Sequence, residues 1–155
     1  MTDEGFPRDP TAFRPMRVTA SRDLPVGFEL EPVRKVVTLD KSRIYQGWPA
    51  VRNRHTDYGA AQATGLREPN VNGGQTAEYL GELFIKFFGS GFLGGRLSIS
   101  FIGTVGLGEE VTARGVVKER VAEGDRVRLT LDVWVEDGRG DKVLVGTASG
   151  LTPSP

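Results

Sequence analysis

The chain has no cysteine and a single histidine, His55, among its 155 residues. Without thiols there is no disulfide framework, and one imidazole leaves a zinc site short of its usual ligands, so the sequence points away from metal catalysis. An excess charge of one sign is also lacking. Twenty basic and twenty acidic residues cancel, no polybasic block interrupts the mixture, and neither nucleic acid nor an anionic membrane is an expected partner. No run of apolar residues is long enough to cross a bilayer, and the opening "MTDEGFPRDPTAFRP" lacks the apolar stretch of a secretory signal. A cytoplasmic location is the expectation.

What is present suits one domain. A chain of this length hides about 70% of its unfolded surface and supports a core without staples. Residues 1–24 are rich in proline and charge and read as a tail or surface strap, which leaves 25–155 as a single domain. "EPVRKVVTL" (31–39) has the β-branched content of a first strand. "DKSRIYQGWPAVRN" then reads as an irregular loop because of Gly47 and Pro49, with Trp48 taken as a packing residue.

From Thr56 or Asp57, "TDYGAAQATGLREP" predicts a short helix, with a capping side chain at its start, Gly65 after its end and Pro69 beyond. His55 sits just before it. After the turn-forming "NVNGG" (70–74) a longer helix is expected from about Thr76 to Phe88. Glu78, Glu82 and Lys86 fall on one narrow stripe of it, while Tyr79, Leu80, Leu83, Phe84, Ile85, Phe87 and Phe88 cover the rest. A helix so broadly apolar belongs in the middle of a domain. Gly81 in its interior is read either as a site of close backbone approach or as a tolerated weakness.

The remainder alternates with period two. Leu97, Ile99 and Phe101 share one face, Val111, Ala113 and Val117 another, and Val127, Leu129, Leu131, Val133 and Val135 point inward along a third strand. "KVLVGTASG" makes a fourth, with "AEGD" (122–125) and "EDGRGD" (136–141) as hairpin turns. The order predicts an α+β fold in which an antiparallel sheet wraps around a long central helix. Its exposed edges favour pairing of two copies.

The glycine-rich "GSGFLGG" and "GTVGLG" lack the Gly-Lys-Ser/Thr of a phosphate loop, and the first follows a helix C-terminus, so both read as turns. "NVNGGQTAEYL" differs because it opens the long helix, where free N–H groups and the positive dipole end can hold an oxyanion or a thioester carbonyl. An ordinary helix start capped by Asn72 is the other reading. Asp57 suits a helix cap, and Arg52, Arg54 and Arg67 are either carrier-phosphate contacts or solvated surface.

"N-x-H-T-D" followed by "A...GL", the Gly-containing turn before an apolar helix, and "GGRLSISFIGTVGLGEEVTARGVV" together resemble the MaoC-like dehydratase family over about Leu30–Thr152. The resemblance implies a hot-dog fold, usually dimeric, that adds or removes water across a trans-2-enoyl thioester carried on CoA or an acyl carrier, with no further cofactor. It implies His55 as acid/base and the Gly73 N–H as oxyanion donor. Asp57 is the first candidate for a supporting carboxylate, and Asn53, Asn72, Gly74 and Tyr79 are candidate substrate contacts. The family's aspartate, a few residues before its histidine, falls here on Ala50 or Val51, and its His-Gly turn is Asn72-Gly73. Two further readings stand beside the hydratase: a thioester-binding subunit that pairs with an intact homologous chain, and a thioesterase.

Overall fold

The structure, a computed structural model, describes residues 15–47 and 51–155. Trp48 and Ala50, both singled out in the sequence, lie outside those residues. The described elements run β1 (Val33–Val36), α1 (Leu39–Gln46), α2 (Tyr58–Ala63), α3 (Gly73–Phe88), β2 (Arg96–Phe101), β3 (Glu110–Glu123), β4 (Arg126–Glu136) and β5 (Lys142–Leu151). A 3-10 turn, Gly89–Phe92, continues α3.

The five strands form one antiparallel sheet in the order β1-β3-β4-β5-β2. Alternation explains which face meets the helix. Val127, Leu129, Leu131, Val133 and Val135 of β4 are all buried, as are Val111, Ala113 and Val117 of β3. Against them α3 buries Leu80, Leu83, Phe84, Phe87 and Phe88. At about 1.5–3 kcal/mol for each large side chain removed from water, this helix-on-sheet layer dominates stability. Residues 15–24 carry no regular element, yet Met16, Ala20 and Leu24 join the core, and Ala20 N donates to Phe87 O at 2.8 Å.

Several expectations change. The segment read as a loop after β1 is helix α1 over Leu39–Gln46: Thr38 caps it by accepting from Lys41 N at 3.2 Å, Asp40 favours its first turn, and Gly47 ends it at φ 100°. Gly47 marked a helix terminus rather than a loop interior. Helix α3 starts at Gly73, three residues earlier than expected, because Asn72 Oδ1 accepts from Gly74 N at 2.8 Å. Ile85 of α3 is 56% exposed instead of buried. On edge strand β2, Ile99 packs half-buried against the core, while Leu97 is 44% and Phe101 54% exposed. A methyl group on Gly81 would meet only Glu78 Oε2, at 3.6 Å, so no close backbone approach explains that glycine.

"GSGFLGG" gains a physical reason. A Cβ on Gly91 would strike Leu151 O and one on Gly95 would strike Ser149 O, so these glycines let the chain leaving α3 lie directly on the backbone of β5. Among the described residues no helix is long and apolar enough to cross a membrane.

Candidate functional site

The loop carrying His55 is held by its own side chains. Thr56 is buried and its Oγ1 accepts from Asn53 N at 3.0 Å while donating to Val51 O. Asn53 is the hub. Its carbonyl accepts from Thr56 N and Asp57 N, both at 3.0 Å, its Oδ1 accepts from His55 N at 2.8 Å, and its Nδ2 donates to Gln46 Oε1 of α1 at 3.0 Å. Arg43 Nε adds a bond to Thr56 O at 3.2 Å. The unexpected helix α1 is therefore the shelf on which the histidine loop rests.

The half-buried His55 ring is fixed from both sides. Nδ1 lies 2.8 Å from Asn70 O, and since a carbonyl only accepts, Nδ1 carries the hydrogen. Nε2 thus keeps the lone pair, toward which Arg54 Nε donates at 3.3 Å. Asn70 is itself pinned, bridging to Gly106 while Val71 N donates to Val105 O at 2.9 Å. An imidazole with one nitrogen anchored and the other basic is the form that general acid/base chemistry requires.

Arg54, His55, Asn70, Gly73, Thr76, Phe101, Thr104 and Val143 line a cleft of about 180 Å³. It brings together the two residues singled out in the sequence, His55 and Gly73. Gly73 is the first residue of α3, its N–H has no partner among the described residues, and it lies at the positive end of a sixteen-residue helix dipole. The Phe101 ring packs against it so closely that a Cβ would come within 3.1 Å of Phe101 Cε1.

The other candidates lie elsewhere. Asp57 caps α2, accepting from Ala60 N at 2.8 Å, and pairs with Arg52 Nε at 3.0 Å. The Ala60 N–H and the Arg52 guanidinium hold its carboxyl below the usual range. It does not line the cleft, because capping geometry aims its oxygens back along α2. Asn53 serves the loop. Asn72 and Gly74 satisfy each other at the helix start, and the Tyr45 hydroxyl of α1 sits over Gly74. Tyr79 faces a different groove, where its hydroxyl accepts from Gln75 Nε2 at 3.2 Å and burial raises its pKa.

The cleft's described lining contains no Asp or Glu. Val51, one of the two positions where the sequence places the missing aspartate, is 54% exposed. Nor, among the described residues, does any group of three or more His, Asp or Glu side chains converge as a metal site requires. Sequence reasoning missed Asn70, Thr76, Phe101 and Thr104, which reach the cleft from separate segments.

The fold has counterparts among solved structures. An (R)-hydratase from A. caviae involved in PHA biosynthesis superimposes with a TM-score of 0.70 over 86% of this chain and 100% of that one, at 23% identity. A MaoC-like dehydratase from Rhodospirillum rubrum gives 0.73 over 86% of this chain and 95% of that one, at 21% identity. The fold is the hot-dog fold. A ChsH1-ChsH2 complex from Mycobacterium tuberculosis shares it, with a TM-score of 0.67, 83% and 97% coverage and 17% identity. No sequence-family model and no curated protein sequence matches the chain. Within the hot-dog frame, the cleft opens at the N-terminus of the central helix, between that helix, the histidine loop and the end of edge strand β2.

Proposed function

We propose that this hot-dog protein adds water to, or removes it from, a trans-2-enoyl thioester carried on CoA or an acyl carrier, and that it acts as a pair of chains. The observation that carries the reading is the convergence on one cleft of a tautomer-fixed His55 and of Gly73, whose N–H has no partner among the described residues. In the hydration direction His55 Nε2 accepts a proton from water as the water oxygen bonds to Cβ, and the proton is returned to Cα. Negative charge on the thioester oxygen is met by the Gly73 N–H and the dipole of α3. The likeness to (R)-hydratases and MaoC-like dehydratases supports this class of reaction. Pairing is supported by the exposed apolar side chains Leu97 and Phe101 on edge strand β2 and Ile102 just after it.

The test is hydration of short and medium trans-2-enoyl-CoAs, followed by loss of the enoyl absorbance. His55→Ala is expected to lose about 10²-fold or more, the range for a removed acid/base. Equal rates in wild type and variant overturn the assignment. A second reading is favoured by the carboxylate-free lining: a thioester-binding subunit whose catalytic partner is a homologous chain. Co-purification of such a chain from the native host supports it, and a homodimer with full turnover refutes it. Release of free thiol from an acyl-CoA would identify a thioesterase instead.

A further inference from the structure

Asn70 carries a polar group that the fold leaves unsatisfied. Its carbonyl accepts from His55 Nδ1 at 2.8 Å, and the residue stands opposite Gly106 in a β-bridge. Its side-chain Oδ1 is buried and has no hydrogen-bond partner among the described residues. The other buried oxygen in that position, Glu82 Oε1, lies 2.7 Å from Lys86 Nζ and is satisfied as an ion pair. Asn70 stands alone, and an orphaned acceptor of this kind marks either an ordered water or a functional site.

Its location decides between them. Asn70 lines the same cleft as His55 and Gly73, and no carboxylate joins them there among the described residues. Hydration needs two acceptors for the attacking water. His55 Nε2 takes one hydrogen, which ends on Cα; the second hydrogen stays on oxygen and becomes the hydroxyl of the product. Something must hold that second hydrogen so that the oxygen lone pair faces Cβ. A carboxamide oxygen accepts a hydrogen bond but takes no proton, so it can orient water without acting as the base. Asn70 is half-buried with Oδ1 as its buried end, and because the terminal torsion of asparagine is soft and roughly two-fold, turning the carboxamide over exchanges Oδ1 with Nδ2.

Resting on the hydratase reading above, we propose that Asn70 Oδ1 is the acceptor for the second hydrogen of the reacting water, filling the orienting half of the role for which the cleft's described lining has no carboxylate. The test compares wild type, Asn70→Leu and Asn70→Asp with crotonyl-CoA, measuring kcat, its pH profile and Tm. Leucine is expected to lower kcat by roughly tenfold or more, the worth of one hydrogen bond, while Tm holds or rises because the orphan oxygen is gone. Aspartate keeps the acceptor and adds a base, so kcat is expected to match or exceed wild type with a new acidic limb in the profile. A wild-type kcat in Asn70→Leu overturns the proposal. So does a kcat loss that comes with a lower Tm and is equally large in Asn70→Asp, since that pattern belongs to packing. A wild type that hydrates no enoyl thioester overturns both this proposal and the function it rests on, whereas an active wild type with an unaffected Asn70→Leu overturns this one alone.

Discussion

Substituting Gly73 by alanine separates what the cleft does from what the fold needs. Gly73 is helical and does not have positive φ, so its backbone accepts an L side chain. Alanine in a helix gains up to about 1 kcal/mol over glycine, with less of that at the first helical position. Against this, the added Cβ meets Phe101 Cε1 at 3.1 Å and Cδ1 at 3.3 Å, tighter than the comfortable carbon contact of about 3.5–4.0 Å. Phe101 is 54% exposed and lies on an edge strand, so its ring has room to give. The two effects nearly cancel, and stability is expected to change by no more than about 1 kcal/mol. On the proposed mechanism turnover responds differently, because the methyl crowds the approach of the thioester oxygen to the Gly73 N–H. Loss of one oxyanion donor costs on the order of 10²–10³ in rate. Thermal unfolding and enoyl-CoA hydration are the two measurements. A Gly73→Ala protein with both wild-type Tm and wild-type rate refutes the assignment of that N–H to catalysis.

Thr56→Val removes the buried hydroxyl that accepts from Asn53 N and donates to Val51 O; urea unfolding should show a loss of about 1–3 kcal/mol, with activity falling in step as the His55 loop loosens. Asp57 is expected to matter through pH. Its carboxyl is held below the usual 3.8, chiefly by Ala60 N–H and then by Arg52, so its stabilisation is full above the unfolded value and disappears as pH falls through the folded one. Asp57→Asn keeps an acceptor for Ala60, so the Tm advantage of wild type at neutral pH should shrink on acidification below about pH 3.8; an advantage independent of pH contradicts this. Leu97→Glu places charges at an exposed apolar position of β2 and should halve the mass seen in sedimentation velocity, whereas an unchanged mass removes edge pairing as the mode of association.

The sheet was the most legible part of the chain because β4 alternates strictly between buried and half-buried residues and the first half of β3 buries Val111, Ala113 and Val117. Every second residue of Val127–Val135 reports its own position. Helix α1 was not legible. It buries only Ser42, leaves Ile44 66% and Tyr45 41% exposed, and so shows no apolar stripe. Ile85 was placed inside by pattern, and Leu97 and Phe101 on one shared face with Ile99, yet all of these but Ile99 are exposed in the single chain, and periodicity cannot distinguish a core from a surface that a second chain covers. His55 stood out by rarity and Gly73 by its place before a helix. Asn70 and Phe101 carried no such mark. They reach the cleft because the Asn70–Val71 segment is tied to the turn after β2 and because β2 pairs with β5 in the register Phe101↔Leu144. Those are long-range contacts with no local sequence signature.

The charge around the cleft bears on which half of the chemistry is strong. The described lining offers the Arg54 guanidinium and the positive end of α3, with no carboxylate to oppose them. Both favour an anion at the thioester oxygen. Neither helps to deprotonate water, and Arg54 donates to the one lone pair, on His55 Nε2, that must accept the proton. On the proposed mechanism, turnover requires Arg54 to release His55, as it would on meeting a more anionic partner such as a carrier phosphate or the forming enolate oxygen. Arg54→Gln tests that coupling, because a neutral side chain frees Nε2 while weakening the field. If Arg54 acts mainly through the thioester, KM should rise and kcat hold; if it acts mainly as a restraint on the base, kcat should rise with KM unchanged. A variant that changes neither would remove Arg54 from the site altogether and leave the helix dipole and Gly73 as the sole electrostatic support for the oxyanion.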